Sequence, residues 1–140
     1  MLVRLLYASR AAHAMSEAEL QAILRSSREH NPATGLTGLL CYSDGIFIQV
    51  LEGGRDAVNA RYKAIVDDAR HRDVIILSYE EIGERHFAGW SMGQVNLHRL
   101  NPALVLKYSA STKLDPYAMS GRALMALFQE LVSTGAIVCA

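Results

Sequence analysis

The 140-residue chain predicts an α+β sandwich of order βαββαββ: a five-stranded mixed sheet with two helices on one face and a C-terminal helical extension covering the other. Three observations carry that expectation. Apolar, β-branched runs of strand length alternate with two stretches of helical period. Right-handed crossovers place both of those helices on the same side of the sheet. The strands are nevertheless apolar on both faces, which demands a second cover.

The elements follow in chain order. Residues 2–9, LVRLLYAS, read as a first strand with Val3, Leu5 and Tyr7 on one face and Leu2, Leu6 and Ala8 on the other. Ser16 then caps a helix, Glu19 completes a capping box, and Met15 staples to Leu20. Leu20, Ile23 and Leu24 form its apolar stripe, Ser27 is a small residue on the same face, and Asn31-Pro32 is expected to end it. A second strand, Gly35 to Tyr42, turns through Asp44-Gly45, a hairpin pair whose twist suits its flanks. The hairpin returns as GIFIQVLEG. Phe47, Gln49 and Leu51 fall on one face of it and Ile46, Ile48 and Val50 on the other.

A second helix is expected from Arg55 to Arg72, burying Val58, Tyr62, Ile65 and Ala69, with Arg61, Ile65 and Asp68 along one edge. Val74–Tyr79 and Trp90–Val95 supply the fourth and fifth strands, Trp90 and Met92 sharing a face of the last. This is the ferredoxin-like order with one strand added. Asn101-Pro102 and Asp115-Pro116 each offer a cap followed by proline at the first helical position. The second of those helices carries Leu124, Leu127, Phe128 and Leu131 before Gly135, and is expected to cover the open face.

Composition narrows the function classes. Half the residues are apolar and a fifth charged, the formal net charge is zero, and no apolar run approaches the ~20 residues of a membrane span. These features point to a cytoplasmic globular domain without direct nucleic-acid or membrane binding. Cys41 reads as a small core residue, and the five histidines show no metal-ligand spacing. Nucleophile elbows and phosphate-cradling glycine loops are missing, and adjacent carboxylates such as Asp67-Asp68 point to different faces, so no catalytic residue is assigned.

Polar groups at buried positions are more informative. Gln49 interrupts an apolar strand, where an unpaired amide would cost about 1–3 kcal/mol. It either bonds to neighbouring protein groups or serves a ligand. Tyr7 lies on the first strand, close to Gln49 if strands one and three are neighbours. Asn31 reads as a helix stop or a slot edge, and Arg70, His71 and Arg72 as cations opposing a helix C-terminus or as phosphate partners. Together, Tyr7 and Gln49 would floor a slot between the helices, edged by Asn31 and Asp68 and kept open by Ser27. Such a slot suits a flat heteroaromatic with an amide-like edge.

The segments LLYAS, HNPATGLTGLL, SDGIFIQVLEG and FAGWSM resemble, in combination, the BLUF domain, the flavin-binding blue-light sensor family. The resemblance runs from Leu2 to Leu97, leaving residues 98–140 as a C-terminal helical cap, and implies a short stand-alone photoreceptor rather than an enzyme. It implies FAD held noncovalently between the helices, with FMN or riboflavin sometimes accepted. Tyr7 would donate an electron and proton, and Gln49 would switch hydrogen bonds near flavin N5 and O4. Asn31 would bond the pyrimidine edge, with His30 beside it, Asp68 the ribityl chain, and Arg70 or His71 the phosphates. Ile23 and Ile65 would flank the ring, Ser27 and Leu51 would complete the pocket, and Trp90 or Met92 would stand next to Gln49. The partner would be an unidentified downstream protein, and a homodimer stays open.

Two rivals remain at this level. One is a light-insensitive dimerising regulatory module of the same fold, in which Tyr7 and Gln49 are internal core. The other is a small acyl-phosphate hydrolase using Arg10 and Asn31, whose loop after Ala8 lacks glycine and packed backbone donors.

Overall fold

A computed structural model describes residues 1–95, 100–135 and 137–138. The boundary at residues 97 and 98, His98 and Cys139 lie outside the described residues. The order is β1 (Leu2–Ala11), α1 (Glu17–Thr34), β2 (Thr37–Ser43), β3 (Ile46–Gly54), α2 (Arg55–Val66), β4 (His71–Ile82), β5 (Gly93–Val95), α3 (Pro102–Tyr108), α4 (Gly121–Ser133) and β6 (Ile137–Val138). The sheet runs β4-β1-β3-β2-β5-β6. It contains the five expected strands and one two-residue strand more, and the parallel pairing of β2 with β5 makes it mixed.

Local codes act where expected. Ser16 Oγ accepts the Glu19 N–H, and Glu19 Oε1 accepts the Ser16 N–H, closing the capping box. Asp44 and Gly45 take φ of 51° and 75°, the left-handed pair a tight hairpin requires. β1 lies beside β3 with Tyr7 directly opposite Gln49.

Four boundaries differ from expectation. α1 continues through Asn31-Pro32 to Thr34 and ends at Gly35, whose φ of 71° lets its N–H reach back to the Asn31 and Pro32 carbonyls. α2 stops at Val66 rather than Arg72, because His71 and Arg72 are drawn into β4, where they pair with Ala11 and Arg10 of β1. Asp68 and Arg70 therefore belong to a turn, with the Asp68 carboxylate accepting the Arg70 N–H at 2.9 Å. β5 begins at Gly93, leaving Trp90 and Met92 on the approach to it. Finally, Asp115 caps only a short 3₁₀ turn, Pro116–Ala118, and α4 starts behind Ser120.

Hydrophobic cores fill both faces. Val3, Leu5, Tyr7, Leu40, Phe47 and Leu51 meet Leu20, Leu24, Val58 and Ile65 of α1 and α2. On the reverse face Leu6, Leu39, Cys41, Ile48 and Val50 meet Leu124, Leu127, Phe128 and Leu131 of α4. Each such side chain contributes about 1.5–3 kcal/mol by burial, which is why α4 docks rather than drifting from the sheet. Burial pushes the Cys41 thiol up to about 12, so it stays protonated and inert.

Gly38 permits the closest strand approach. A Cβ there would lie 1.9 Å from the Val50 carbonyl oxygen, and backbone cannot yield as a flexible side chain can. Gly38→Ala is therefore expected to destabilise the fold by about 3 kcal/mol, the upper end for overpacking. Chemical denaturation measures it; a loss under about 0.5 kcal/mol would show that β2 and β3 can separate freely.

Candidate functional site

A cavity of about 210 Å³ opens between α1 and α2 above the centre of the sheet. Its floor is Tyr7 of β1, Gln49 and Phe47 of β3, and Leu40 of β2; its walls are Ala22, Ile23, Ser26 and Ser27 of α1 and Ala64 and Ile65 of α2; Arg61, Asp68, Arg70 and His71 form the rim. The helical spacings 22/23/26/27 in α1 and 61/64/65 in α2 set these walls, since residues three and four apart share a face, and the turn after α2 brings Asp68 to the rim.

A chain of hydrogen bonds starts on the floor and runs behind it. The Tyr7 hydroxyl donates to Gln49 Oε1, and Gln49 Nε2 donates to Met92 Sδ at 3.4 Å. All three residues are buried. Burial first, against the opposing pull of Arg61, raises the Tyr7 pKa far above the phenol range, so the hydroxyl keeps its proton. The Tyr62 ring meets Tyr7 edge-on with centroids 5.8 Å apart.

At the rim, Arg70 forks onto Asp68 with contacts of 2.6–3.1 Å. That hydrogen bonding draws the Asp68 carboxyl down to about 2 and raises Arg70. Burial lowers His71, whose Nδ1 lies 2.7 Å from Ser9 Oγ and whose ring lies 4.8 Å from that of Phe47. The Asp68 sign follows from its depressed value: its stabilising contribution is complete above about pH 4 and disappears as pH falls towards 2. Asp68→Asn is expected to flatten the acid limb of stability against pH by less than about 1 kcal/mol, as for an exposed ion pair. Acid titration followed by circular dichroism checks this; an unaltered slope below pH 4 would remove Asp68 from the acid transition.

Tyr7, Ile23, Ser27, Gln49, Ile65, Asp68, Arg70 and His71 are thus brought to one cavity, while five expected site residues lie off its lining, Met92 among them although it bonds to Gln49. Asn31 is buried but donates through Nδ2 to the Ser91 carbonyl at 2.6 Å, anchoring the connector before β5. His30 is exposed, its Nδ1 2.7 Å from the Ser26 carbonyl. Leu51 is core behind the floor, and Trp90 packs against the α4-side cluster while Met92 packs on the α1/α2 side. The two do not share a face, because the irregular chain before Gly93 breaks strand alternation. The sequence reading left Arg61, Ala22, Ser26, Leu40 and Ala64 out of the slot. The spacing of Arg61 with Ile65 and Asp68 is the signal that places Arg61, and Leu40 follows from its register opposite Gln49.

A flavin fits this donor set. The hydroxyl and amide of the floor would meet a polar ring edge, aliphatic walls from both helices would sandwich a flat ring, and the Arg61 and Arg70 cations with the His71 imidazole would be partners for a phosphorylated tail. Among the described residues no cluster of His, Cys, Asp and Glu could hold a metal, and no helix is long and apolar enough to cross a membrane.

Comparison with known proteins agrees with the geometry. The family model "BLUF: Sensors of blue-light using FAD" matches residues 2–93. The chain is 39% identical over 92 residues to the photoactivated adenylate cyclase subunit beta of Euglena longa, covering 65% of this chain but only 11% of that relative. Among solved structures, BlsA in its photo-activated state superposes with a TM-score of 0.85 at 30% identity, covering 94% of this chain and 95% of that one. The dark-state structure of BlrB, a BLUF protein, gives 0.79 at 33% identity, with 96% of each chain covered.

Proposed function

The chain belongs to the BLUF family of blue-light sensors using FAD, and from that premise we propose that Tyr7, Gln49 and Met92 form its switch, signalling to a separate cytoplasmic protein without turning over a substrate. The observation that carries the reading is the continuous buried chain from the Tyr7 hydroxyl through the Gln49 amide, both on the floor of the slot, to the Met92 sulfur beside it. When bound, FAD supplies an oxidant made strong for an instant by blue light, and a polar ring edge that reports its hydrogen bonds as colour.

The residues do the rest. Tyr7 is protonated and desolvated, so removing an electron from its ring turns a very weak acid into a strong one. Its proton already points at Gln49 Oε1 and moves along that bond. Return of the electron brings the proton back to Tyr7, so no atom is consumed. What changes is the amide, which has a donor end and an acceptor end exchangeable by rotation or by tautomerisation. Rotation replaces both the donor facing Met92 Sδ and the acceptor facing Tyr7, whereas tautomerisation turns the acceptor facing Tyr7 into an O–H donor. Arg61, Arg70 and His71 would hold the phosphates and the aliphatic walls the ring, so FMN or riboflavin would also be accepted.

The purified protein is expected to be yellow, to release FAD on denaturation, and to shift its flavin band reversibly to the red under blue light. A colourless protein, or a yellow one whose band does not move, overturns the reading in favour of a light-insensitive module.

A further inference from the structure

Glu52 is a fully buried carboxylate on the face of β3 opposite Gln49, and the slot makes no use of it. A charge in that position is costly unless paired and hydrogen-bonded on every side. Glu52 Oε2 accepts from Arg4 Nε at 2.7 Å and from the His86 N–H at 2.9 Å, and Oε1 accepts from the Phe87 N–H at 2.7 Å. Arg4 extends the pairing to Glu80 at 2.9 Å. The carboxylate thus fastens the backbone of the connector between β4 and β5 to β3. Its other end returns to the same strand, three residues away, through Met92 Sδ and Gln49 Nε2. At the clamped end the connector also touches α4, where Gln129 Nε2 donates to His86 Nδ1 at 2.5 Å.

We propose that Glu52 is a positioning residue for the light switch: its carboxylate clamps residues 86 and 87, seats Met92 against Gln49 in the dark, and lets the connector hand a change at Gln49 to α4 through His86 and Gln129. This rests on the reading of Gln49 as the switch. With one end fixed by a charge-assisted clamp, a changed bond at Met92 is taken up along the connector rather than lost at both ends. Phe87, buried among the residues that face α4, makes the clamped end a packed fulcrum.

The test uses the full FAD-loaded chain. Glu52→Gln weakens the clamp and favours the displaced connector, so dark recovery is expected to slow by about tenfold while the red shift persists. Should that variant fail to fold, Glu52→Asp keeps the charge but draws the carboxylate back from the Phe87 N–H, and the same slowing is expected. Val105→Ala, a buried truncation in α3, controls for mere destabilisation and should recover as the wild type does. Gln129→Leu should keep the red shift and its recovery but lose the light-dark difference in amide exchange over residues 121–133. Recovery in both Glu52 variants within about twofold of wild type, equal slowing in Val105→Ala, or an unchanged exchange difference in Gln129→Leu overturns the proposal. A wild type that does not shift at all refutes the switch reading instead.

Discussion

Gln49→Leu is expected to leave a yellow protein with no red-shifted state. Leucine is close in size and suits a strand whose neighbours Ile48 and Val50 are fully buried, so the slot keeps its shape. The walls from α1 and α2 and the cationic rim are untouched, and flavin affinity should fall by no more than about tenfold, the loss of one hydrogen bond. The Tyr7 hydroxyl loses its acceptor, and leaving it unpaired in the core costs about 1–3 kcal/mol of stability. What vanishes altogether is the exchange of donor for acceptor, since a hydrocarbon has neither. The measurement is the light-minus-dark difference spectrum; a wild-type red shift in this variant would remove Gln49 from the mechanism.

Tyr7→Phe carries the second large effect. The ring and its edge contact with Tyr62 remain, and only the hydroxyl is lost. Without that proton, oxidation of the ring cannot be coupled to transfer onto Gln49 Oε1, and the yield of the red-shifted state should fall by at least about a hundredfold, the lower end for a positioned proton donor. Stability should change by only about 1 kcal/mol, as one hydrogen bond is lost from Gln49. Any residual conversion points to Tyr62, which has a phenol in contact with Tyr7, and should disappear in the double variant with Tyr62→Phe. Near-normal conversion in that double variant would exclude tyrosine as the donor. Because Tyr7 and Gln49 act through one bond, combining Tyr7→Phe with Gln49→Leu should cost less than the sum of the two in stability.

Most of the fold was legible because its codes are local. A capping box needs only Ser16 and Glu19, a tight hairpin only Asp44-Gly45, and alternation along β1 and β3 brings Tyr7 and Gln49 to one face. The misread boundaries were those where a distant partner outweighs the local pattern. His71 and Arg72 fit a helix end by composition, yet pairing with Ala11 and Arg10 recruits them into β4 and leaves Asp68 in a turn. Pro32 looks like a stop, but in the last turn it breaks little, and Gly35 ends the helix. The floor of the slot could be read in advance because strands fix which side each residue faces. The connector could not: no period governs the stretch before Gly93, so nothing local separates Trp90 from Met92 or directs Asn31 towards Ser91.

The apolar character of β3 on both sides has a mechanical meaning as well as a thermodynamic one. Phe47 and Gln49 look into the slot with Leu51 packed beside them on the same face, while Ile48 and Val50 face α4 and Glu52 the connector before β5. The slot side and the α4 side are thus the two surfaces of one ribbon a single residue thick. A twist of that ribbon would shift groups on both sides at once, because side chains on its two faces hang from the same backbone.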